Sequence, residues 1–393
     1  MEISRSSNIK VSRPKVAIVH PKLGWGGSEA IALWVILALK DDYDVSLITS
    51  GRVDISGLNK YYGLNLDPKE FLIIQVPMPL GLKNTAKFSA LRGRLIQRYC
   101  QRVASQFDLM ISAYNPCDFK VKGIQFAVDI EELPAILPLQ NWKRWWYGDT
   151  FLRRIYLKFC DWISPDNPEA WKNNLTLAIS NWTAELMRQK YGIKAHTLYP
   201  PVANEFPTLP YKERENGFIC IGRIVPEKRI ETAIKILEKI RQRGHDIHLH
   251  IIGGIVDTKY YTGFLKEFCL KNKKWLFFEG RLSGQKKKEL ITKHCFGIVT
   301  RKNEPFGIAV AEMVKAGCIV FVPSGGGQTE IVDHPNLIYE GIEDAVRKIK
   351  MVLESKEMED GLREHLSLIS QRFSVENFKK AIRDVVSEFF HQR

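Results

Sequence analysis

Short apolar runs alternating with helical patterns set the rhythm of this chain. Residues 15–20 (Lys-Val-Ala-Ile-Val-His) predict a buried strand, Gly24-Trp25-Gly26-Gly27 a tight loop, and residues 28–40 a helix. Further strands are predicted at 45–49, 71–76, 109–112 and 123–128. A proline-rich passage, Tyr199-Pro200-Pro201 to Phe206-Pro207 and Leu209-Pro210, then breaks the pattern and reads as a linker. A second series restarts at Phe218 and continues through strands at 247–252, 275–278, 295–299 and 318–322. Residues 373–390 predict a closing amphipathic helix. Buried strands alternating with helices predict an α/β protein with two doubly wound parallel sheets, the first domain at 1–205 and the second at 206–372.

Two stretches of the second series carry chemistry. Glu304-Pro305-Phe306-Gly307 is a loop with one carboxylate that runs into a helix bearing a second, Glu312, and Ala316-Gly317 closes it. Free N–H groups of Phe306, Gly307 and Ile308 at that helix start, with the helix dipole, favour an anion such as phosphate. Carboxylates on either side suit hydroxyl groups. Diphosphate plus sugar hydroxyls describes a nucleotide-sugar. About 80 residues earlier, a strand ends at Gly222 and is followed by Arg223 and Lys228. Arginine grips phosphate through paired hydrogen bonds and lysine supplies a compact charge, so the two could hold a diphosphate as it leaves.

In this order the motifs resemble a retaining glycosyltransferase of family 4, whose members share the GT-B architecture of two Rossmann-like domains facing a central cleft. Gly26-Gly27-Ser28-Glu29 resembles the family's first glycine loop. Ser180-Asn181-Trp182-Thr183-Ala184 with Tyr199-Pro200-Pro201-Val202 resembles its interdomain region, and Gly325 to Val332 resembles the last glycine loop. The resemblance implies that Arg223 and Lys228 bind the donor diphosphate, Glu312 holds the ribose and Glu304 faces the donor sugar. Phe306, Gly307 and Ile308 would touch sugar and phosphate through their N–H groups. Leu282 would lie near the base, Gly253 would line the same site, and Gly26 and Gly27 would approach the phosphates from the first domain. It also implies that residues 373–393 pack back on the first domain. Many members carry a histidine after a strand like 123–128; here Asp129-Ile130-Glu131-Glu132 follows, and no histidine occurs between His20 and His196. Asp129 either takes a polar role toward sugar or acceptor, or is a solvated loop carboxylate.

The resulting expectation is a metal-independent transferase without a cofactor. Its donor would be a GDP- or UDP-linked sugar and its acceptor a lipid-linked or cell-envelope saccharide. The similarity of 180–202 to mannosyltransferases that extend lipid-linked oligosaccharides favours GDP. A degenerate nucleotide-sugar-binding protein and an NAD-dependent oxidoreductase are the rivals, but Gly24-Trp25-Gly26-Gly27 lacks the spacing of a dinucleotide fingerprint.

Composition and local clusters add to this picture. With 393 residues the chain exceeds what one core usually serves. Seven scattered cysteines without a Cys-x-x-Cys pair point to a reducing cytoplasm, and no segment reads as a signal peptide or membrane span. The net charge of +14 is spread over both halves: 26 basic against 18 acidic residues up to position 195, and 32 against 26 beyond it. One local concentration is Lys83, Lys87, Arg92, Arg94, Arg98 and Arg102. Another is Trp142-Lys143-Arg144-Trp145-Trp146-Tyr147 with Arg153, Arg154 and Lys158. The second reads as a core cluster in a solvated surround, as an anionic membrane contact on the inner face, or as a nucleic-acid platform; nucleic acid is not expected as a partner. His245, His248 and His250 invite a metal, but no neighbouring Cys or carboxylate completes a set, and they read as sheet residues. Asp42-Tyr43-Asp44 reads as an exposed turn.

Overall fold

The computed structural model describes residues 13–79, 82, 88–128, 130, 151–165, 167–202, 205–255, 263, 266–268, 270–272, 274–282 and 284–392. Contacts divide the chain into two units. The first comprises 1–53, 66–126 and 134–176, the second 54–65, 127–133 and 177–393.

The first unit is built from β1 (Lys15–Val19), α1 (Gly27–Leu39), β2 (Asp44–Thr49), β3 (Leu72–Gln75), β4 (Leu109–Ser112) and β5 (Ile124–Ala127). Its remaining helices are Ser89–Val103, Phe151–Ile163 and Pro168–Trp171. The predicted strands and first helix are present to within a residue or two. The first sheet has the order β3-β2-β1-β4-β5-β6-β7, where β6 is Leu175–Ala178 and β7 Ala195–Thr197. Pairing is parallel from β3 to β5, so both faces need cover. That is why the strands read as continuous apolar runs. On one face Ala17, Val19, Ile48 and Met110 pack with Ile96 and Cys100 of the helix Ser89–Val103. Helix α1 is buried from Ala30 to Leu39 except at Leu37, the mark of a helix inside a core.

One polar group sits inside this core with every bond made. Gln125 of β5 accepts from the Asn174 side chain at 2.8 Å and from the Cys117 N–H at 3.3 Å. It donates to Thr176 Oγ1 at 2.9 Å and to the Trp171 carbonyl at 3.0 Å. Asn174 also accepts the Gly123 N–H at 2.9 Å. Such a satisfied network fixes strand and loop together, whereas losing one member strands the others.

The second unit repeats the strand plan. Its sheet order is β10-β9-β8-β11-β12-β13, from β8 (Glu215–Ile221), β9 (His248–Ile252), β10 (Leu276–Gly280), β11 (His294–Ile298), β12 (Ile319–Pro323) and β13 (Ile338–Tyr339). All its paired strands are parallel. The chain starts mid-sheet, runs to one edge and returns past its start, the doubly wound order whose ligands sit beyond the carboxyl ends of the strands. The helices are α2 (Ile55–Tyr62), α3 (Asn181–Tyr191), α4 (Ile230–Arg241), α5 (Gly284–Thr292), α6 (Ile308–Lys315), α7 (Gln328–Val332), α8 (Ile342–Leu353), α9 (Lys356–Ser370) and α10 (Val375–His391). Phe218, Phe296 and Phe321 stack through the core of this sheet, with ring centroids 5.0 and 6.3 Å apart.

Among the described residues no helix is long and apolar enough to cross a membrane. Each described cysteine is buried and free. Asp42, in the turn before β2, and Asp44, the first residue of β2, are both exposed, as expected.

Candidate active site

The turn after β8 is a place where backbones touch. A Cβ on Gly253 would lie 1.8 Å from the Gly222 carbonyl oxygen, so only glycine lets β8 and β9 end side by side. The Gly222 N–H donates to Ile252 and the Gly253 N–H to Gly280, which lines up the carboxyl ends of β8, β9 and β10. Leu282 follows β10, half-buried. Beyond Gly222 the chain carries exposed Arg223 and then Lys228, whose stem lies along Gly222. Thr300 Oγ1 lies 2.8 Å from the carbonyls of both Lys228 and Arg229 and pins this turn to the segment after β11.

Lys228 Nζ sits 2.6 Å from Glu304 Oε2, so the structure joins the two motifs that lie 76 positions apart. Arg301 Nη1 approaches the same carboxylate at 3.4 and 3.5 Å. Burial pushes the Glu304 carboxyl up, but the charges of Lys228, Arg301 and Arg223 outweigh it and hold the group below the usual carboxylate range. Two cations, Lys228 and Arg301, thus share one anion, with Arg223 unpaired among the described residues.

The Glu304 loop is held by main chain. Gly326 bridges Glu304 in parallel, and a Cβ there would meet the Glu304 oxygen at 2.5 Å and nitrogen at 2.6 Å. The Gly327 N–H donates to the Glu304 carbonyl at 2.9 Å, and a Cβ on Gly327 would collide with the Pro305 carbonyl at 2.3 Å. The last glycine loop therefore serves to lay its backbone on that of the glutamate loop. Ser180 and Thr183 hydroxyls both donate to the Pro305 carbonyl, at 2.6 and 3.2 Å.

Phe306 turns its ring inward against Tyr199 and Phe373, with centroids 6.0 and 5.5 Å away, so only its backbone is left for a ligand. Gly307 adopts φ 103° and opens α6 with no side chain capping it. The first N–H groups of such a helix have no intrahelical acceptor. One turn into the helix, Glu312 is buried and pairs with Lys287 Nζ of α5 at 2.6 Å. Burial opposes the Lys287 charge, yet Glu312 outweighs it and raises the lysine above its ordinary value.

Lys287, Arg301 and Glu330 are the residues that sequence reasoning missed. Lys287 lies in the run Lys286-Lys287-Lys288, where nothing but the helix face distinguishes one lysine from the next. Glu330 of α7 accepts the N–H groups of Asn181 and Trp182 at 2.9 and 2.8 Å and the Tyr199 hydroxyl at 2.8 Å. It caps α3, and Ser180 Oγ takes the Thr183 N–H beside it.

In the first unit, Gly26 caps α1 and Gly27 opens it. A Cβ on Gly26 would meet Glu29 Oε2 at 2.5 Å. His20, after β1, is buried edge-on to Tyr114, and burial holds its imidazole down to about 3. Asp129 lies outside the described residues, as do Lys83, Lys87 and the aromatic run 142–147. Arg92, Arg94, Arg98 and Arg102 do lie on one helix, where Arg94 pairs with Asp161 at 3.0 Å and so is not wholly a free basic face.

Two residues distant in sequence join the histidines of β9 in space. The nearest carboxylate in sequence, Asp246, is exposed and pairs with Arg241, but β8 and β11 bring Glu215 and His294 beside His248 and His250. Parallel neighbours of β9 and β8 supply in space what the local sequence lacks.

The family model for glycosyl transferases group 1 matches residues 202–366. The chain is 28% identical over 171 residues to the mouse GDP-Man:Man(3)GlcNAc(2)-PP-Dol alpha-1,2-mannosyltransferase, covering 39% of this chain and 35% of that one. It thus spans about a third of that relative's length. It is 22% identical over 367 residues to human alpha-1,3/1,6-mannosyltransferase ALG2, covering 82% and 83%. Anabaena HepE, solved with UDP and glucose, superposes with a TM-score of 0.66 at 15% identity, covering 95% of this chain and all of that one. A likeness at that identity concerns the fold, and it gives the two parallel-sheet units the GT-B fold. Residues 202–366, which carry the Lys228–Glu304 and Lys287–Glu312 pairs, are the part of the chain that matches the glycosyl transferases group 1 model.

Proposed function

We propose that this protein is a retaining hexosyltransferase that moves a sugar, mannose in our reading, from a GDP-linked donor to a hydroxyl of a lipid-linked saccharide. The observation that carries the proposal is Lys228 held on Glu304 beside the uncapped start of α6. A diphosphate arriving there competes with Glu304 for Lys228, gains Arg223, and lies on the open N–H groups of Phe306 to Ile308. Glu304 is then released toward the sugar. Glu312, paired with Lys287, is poised for the ribose hydroxyls in the same way. Gly253 and Leu282 would flank the base.

In the transfer the bond from the anomeric carbon to the phosphate oxygen breaks and the bond to the acceptor oxygen forms on the same face. The acceptor proton passes to the departing phosphate. Arg223, Lys228 and the helix start stabilise the charge that develops on that phosphate, which gives the reaction its electrostatic assistance without a metal. Asp129 is assigned a polar role toward the acceptor or sugar. Both relatives are named for mannosyl transfer and the mouse one for GDP-Man, which favours GDP-mannose over a UDP-sugar.

A lipid-borne acceptor also fits a helix of the first unit. The helix Phe151–Ile163 leaves Phe151, Leu152, Ile155, Phe159 and Trp162 exposed, Trp162 by 78%. Arg153, Arg154 and Lys158 lie among them. An apolar stripe flanked by cations suits the headgroup level of an anionic bilayer, and we place the protein peripherally on the cytoplasmic face of a membrane.

The test is donor turnover with GDP-mannose, UDP-glucose and UDP-N-acetylglucosamine in the presence of polyprenyl-linked saccharide. Release of GDP that depends on acceptor, with the donor's anomeric configuration kept in the product, is expected. An inverted product, or no turnover with any of the three donors, refutes the reading.

A further inference from the structure

At the opposite ends of these strands lies a second cluster. Glu215 opens β8, His248 opens β9 and His294 opens β11, with His294 in register with Glu215 and His248 with Gly217. His250 follows two residues along β9, on the same face as His248. His248 Nε2 lies 3.0 Å from His294 Nε2 and 3.3 Å from Glu215 Oε2, and His294 Nε2 lies 3.5 Å from that oxygen. One ligand atom from each of the four residues lies within 4.8 Å of every other. Four ligands in a tetrahedron at zinc bond lengths of about 2.0–2.1 Å stand about 3.3–3.4 Å apart, so the three measured separations bracket that spacing.

The outer bonds aim the rings. His294 Nδ1 lies 2.7 Å from the Leu290 carbonyl, which can only accept, so Nδ1 carries the proton and Nε2 keeps its lone pair. His250 Nδ1 lies 2.7 Å from Glu279 Oε1, the carboxylate–histidine pairing that fixes a ligating imidazole and leaves Nε2 to coordinate. Glu215 meets Lys293 through Oε1 at 2.5 Å and keeps Oε2 toward the histidines. The backbone also makes room: a Cβ on Gly217 would lie 2.2 Å from His248 Nε2. Space left by glycine for the His248 ring, four donors from three strands and second bonds that orient two of the rings are the parts of a structural site.

We infer that Glu215, His248, His250 and His294 bind one zinc ion, which staples the amino ends of β8, β9 and β11. Three nitrogens and one oxygen are a donor set that suits tetrahedral zinc, and four protein ligands leave no open position for chemistry. The ion ties strands far apart in sequence, His248 and His294 being 46 residues apart. It stands apart from Lys228 and Glu304, which follow the carboxyl ends.

The test uses the full chain stripped by chelator and titrated with Zn2+ or Co2+. One Co2+ per chain with the intense visible bands of a four-coordinate ion, displaced by one Zn2+, is expected. Zn2+ should raise the Tm of the wild type, and the gain should vanish in His250→Gln and in Glu215→Gln. Glu215 is over a third exposed, so its variant is expected to fold even where a histidine variant does not. No stoichiometric uptake, a six-coordinate Co2+ spectrum, or full uptake by both variants would overturn the proposal and leave the cluster a hydrogen-bonded network. None of these readouts depends on glycosyl transfer.

Discussion

Replacing Lys228 by alanine separates binding from folding. In the unliganded protein the variant loses one 2.6 Å ion pair whose side chains are 22% and 18% exposed. Breaking a fully buried pair costs about 3–5 kcal/mol. Here Arg301 still faces Glu304 at 3.4 Å and water reaches both groups, so a cost of about 1–2 kcal/mol is expected, a Tm loss of a few degrees. Binding suffers more. A hydrogen bond to a charged group contributes about 1.5–3 kcal/mol, which is about 10- to 150-fold in Kd at 1.4 kcal/mol per decade. The freed Glu304 carboxylate then repels the diphosphate, moving the loss to the upper end of that range. Calorimetric titration with GDP, beside urea unfolding of both proteins, gives the two numbers. An unchanged Kd in a variant of lowered stability would show that Lys228 serves only the fold, and the diphosphate assignment would fall.

Three further outcomes are expected. Glu304 has its pKa lowered in the folded state, so its contribution to stability is complete above about pH 4.5 and is lost as pH falls through the lowered value. Urea midpoints from pH 7 to 3 should therefore drop more steeply for the wild type than for Glu304→Gln; parallel curves would contradict the charge balance drawn for that carboxylate. Gly253→Ala must push β8 and β9 apart at their ends, and we expect at least about 3 kcal/mol of lost stability or no folded protein, read by urea denaturation. Pelleting with phosphatidylserine vesicles should fall in the double variant Phe159→Glu, Trp162→Glu while its Tm stays within a few degrees, because both side chains are at least half exposed; unaltered pelleting would remove that helix from the membrane reading.

The strands were legible because both faces of each sheet are covered, which writes them as uninterrupted apolar runs such as 109–112 and 318–322. The two loops after β8 and β11 were legible too, since glycine, cation and carboxylate stand at strand ends where ligands bind. What escaped was partner choice. Lys287 belongs to Glu312 because of how α5 faces α6, and periodicity cannot choose among three successive lysines. Arg301 was hidden by its plainness, being one more basic residue near Glu304. His294 was invisible beside His248 because the two meet only through the β9-β8-β11 strand order, which follows from topology and not from spacing. Glu330 sits in a glycine-rich motif where the glycines drew attention and the carboxylate did not.

The Glu330 cap has a bearing on which anions the second unit accepts. Helix starts are interchangeable in principle: each offers bare N–H groups and positive potential, and a chain with several of them ought to be a promiscuous phosphate binder. At α3 that vacancy is already filled by a tethered carboxylate, at effectively permanent saturation, with Ser180 taking a further N–H. At α6 the cap is glycine, with no side chain standing in. Glu330 thus acts as a built-in competitor at α3, so that a diphosphate does not lodge on that helix start. Glu330→Gln should then cost more than stability: it weakens the occupant of α3, and inorganic phosphate should begin to bind where none did before.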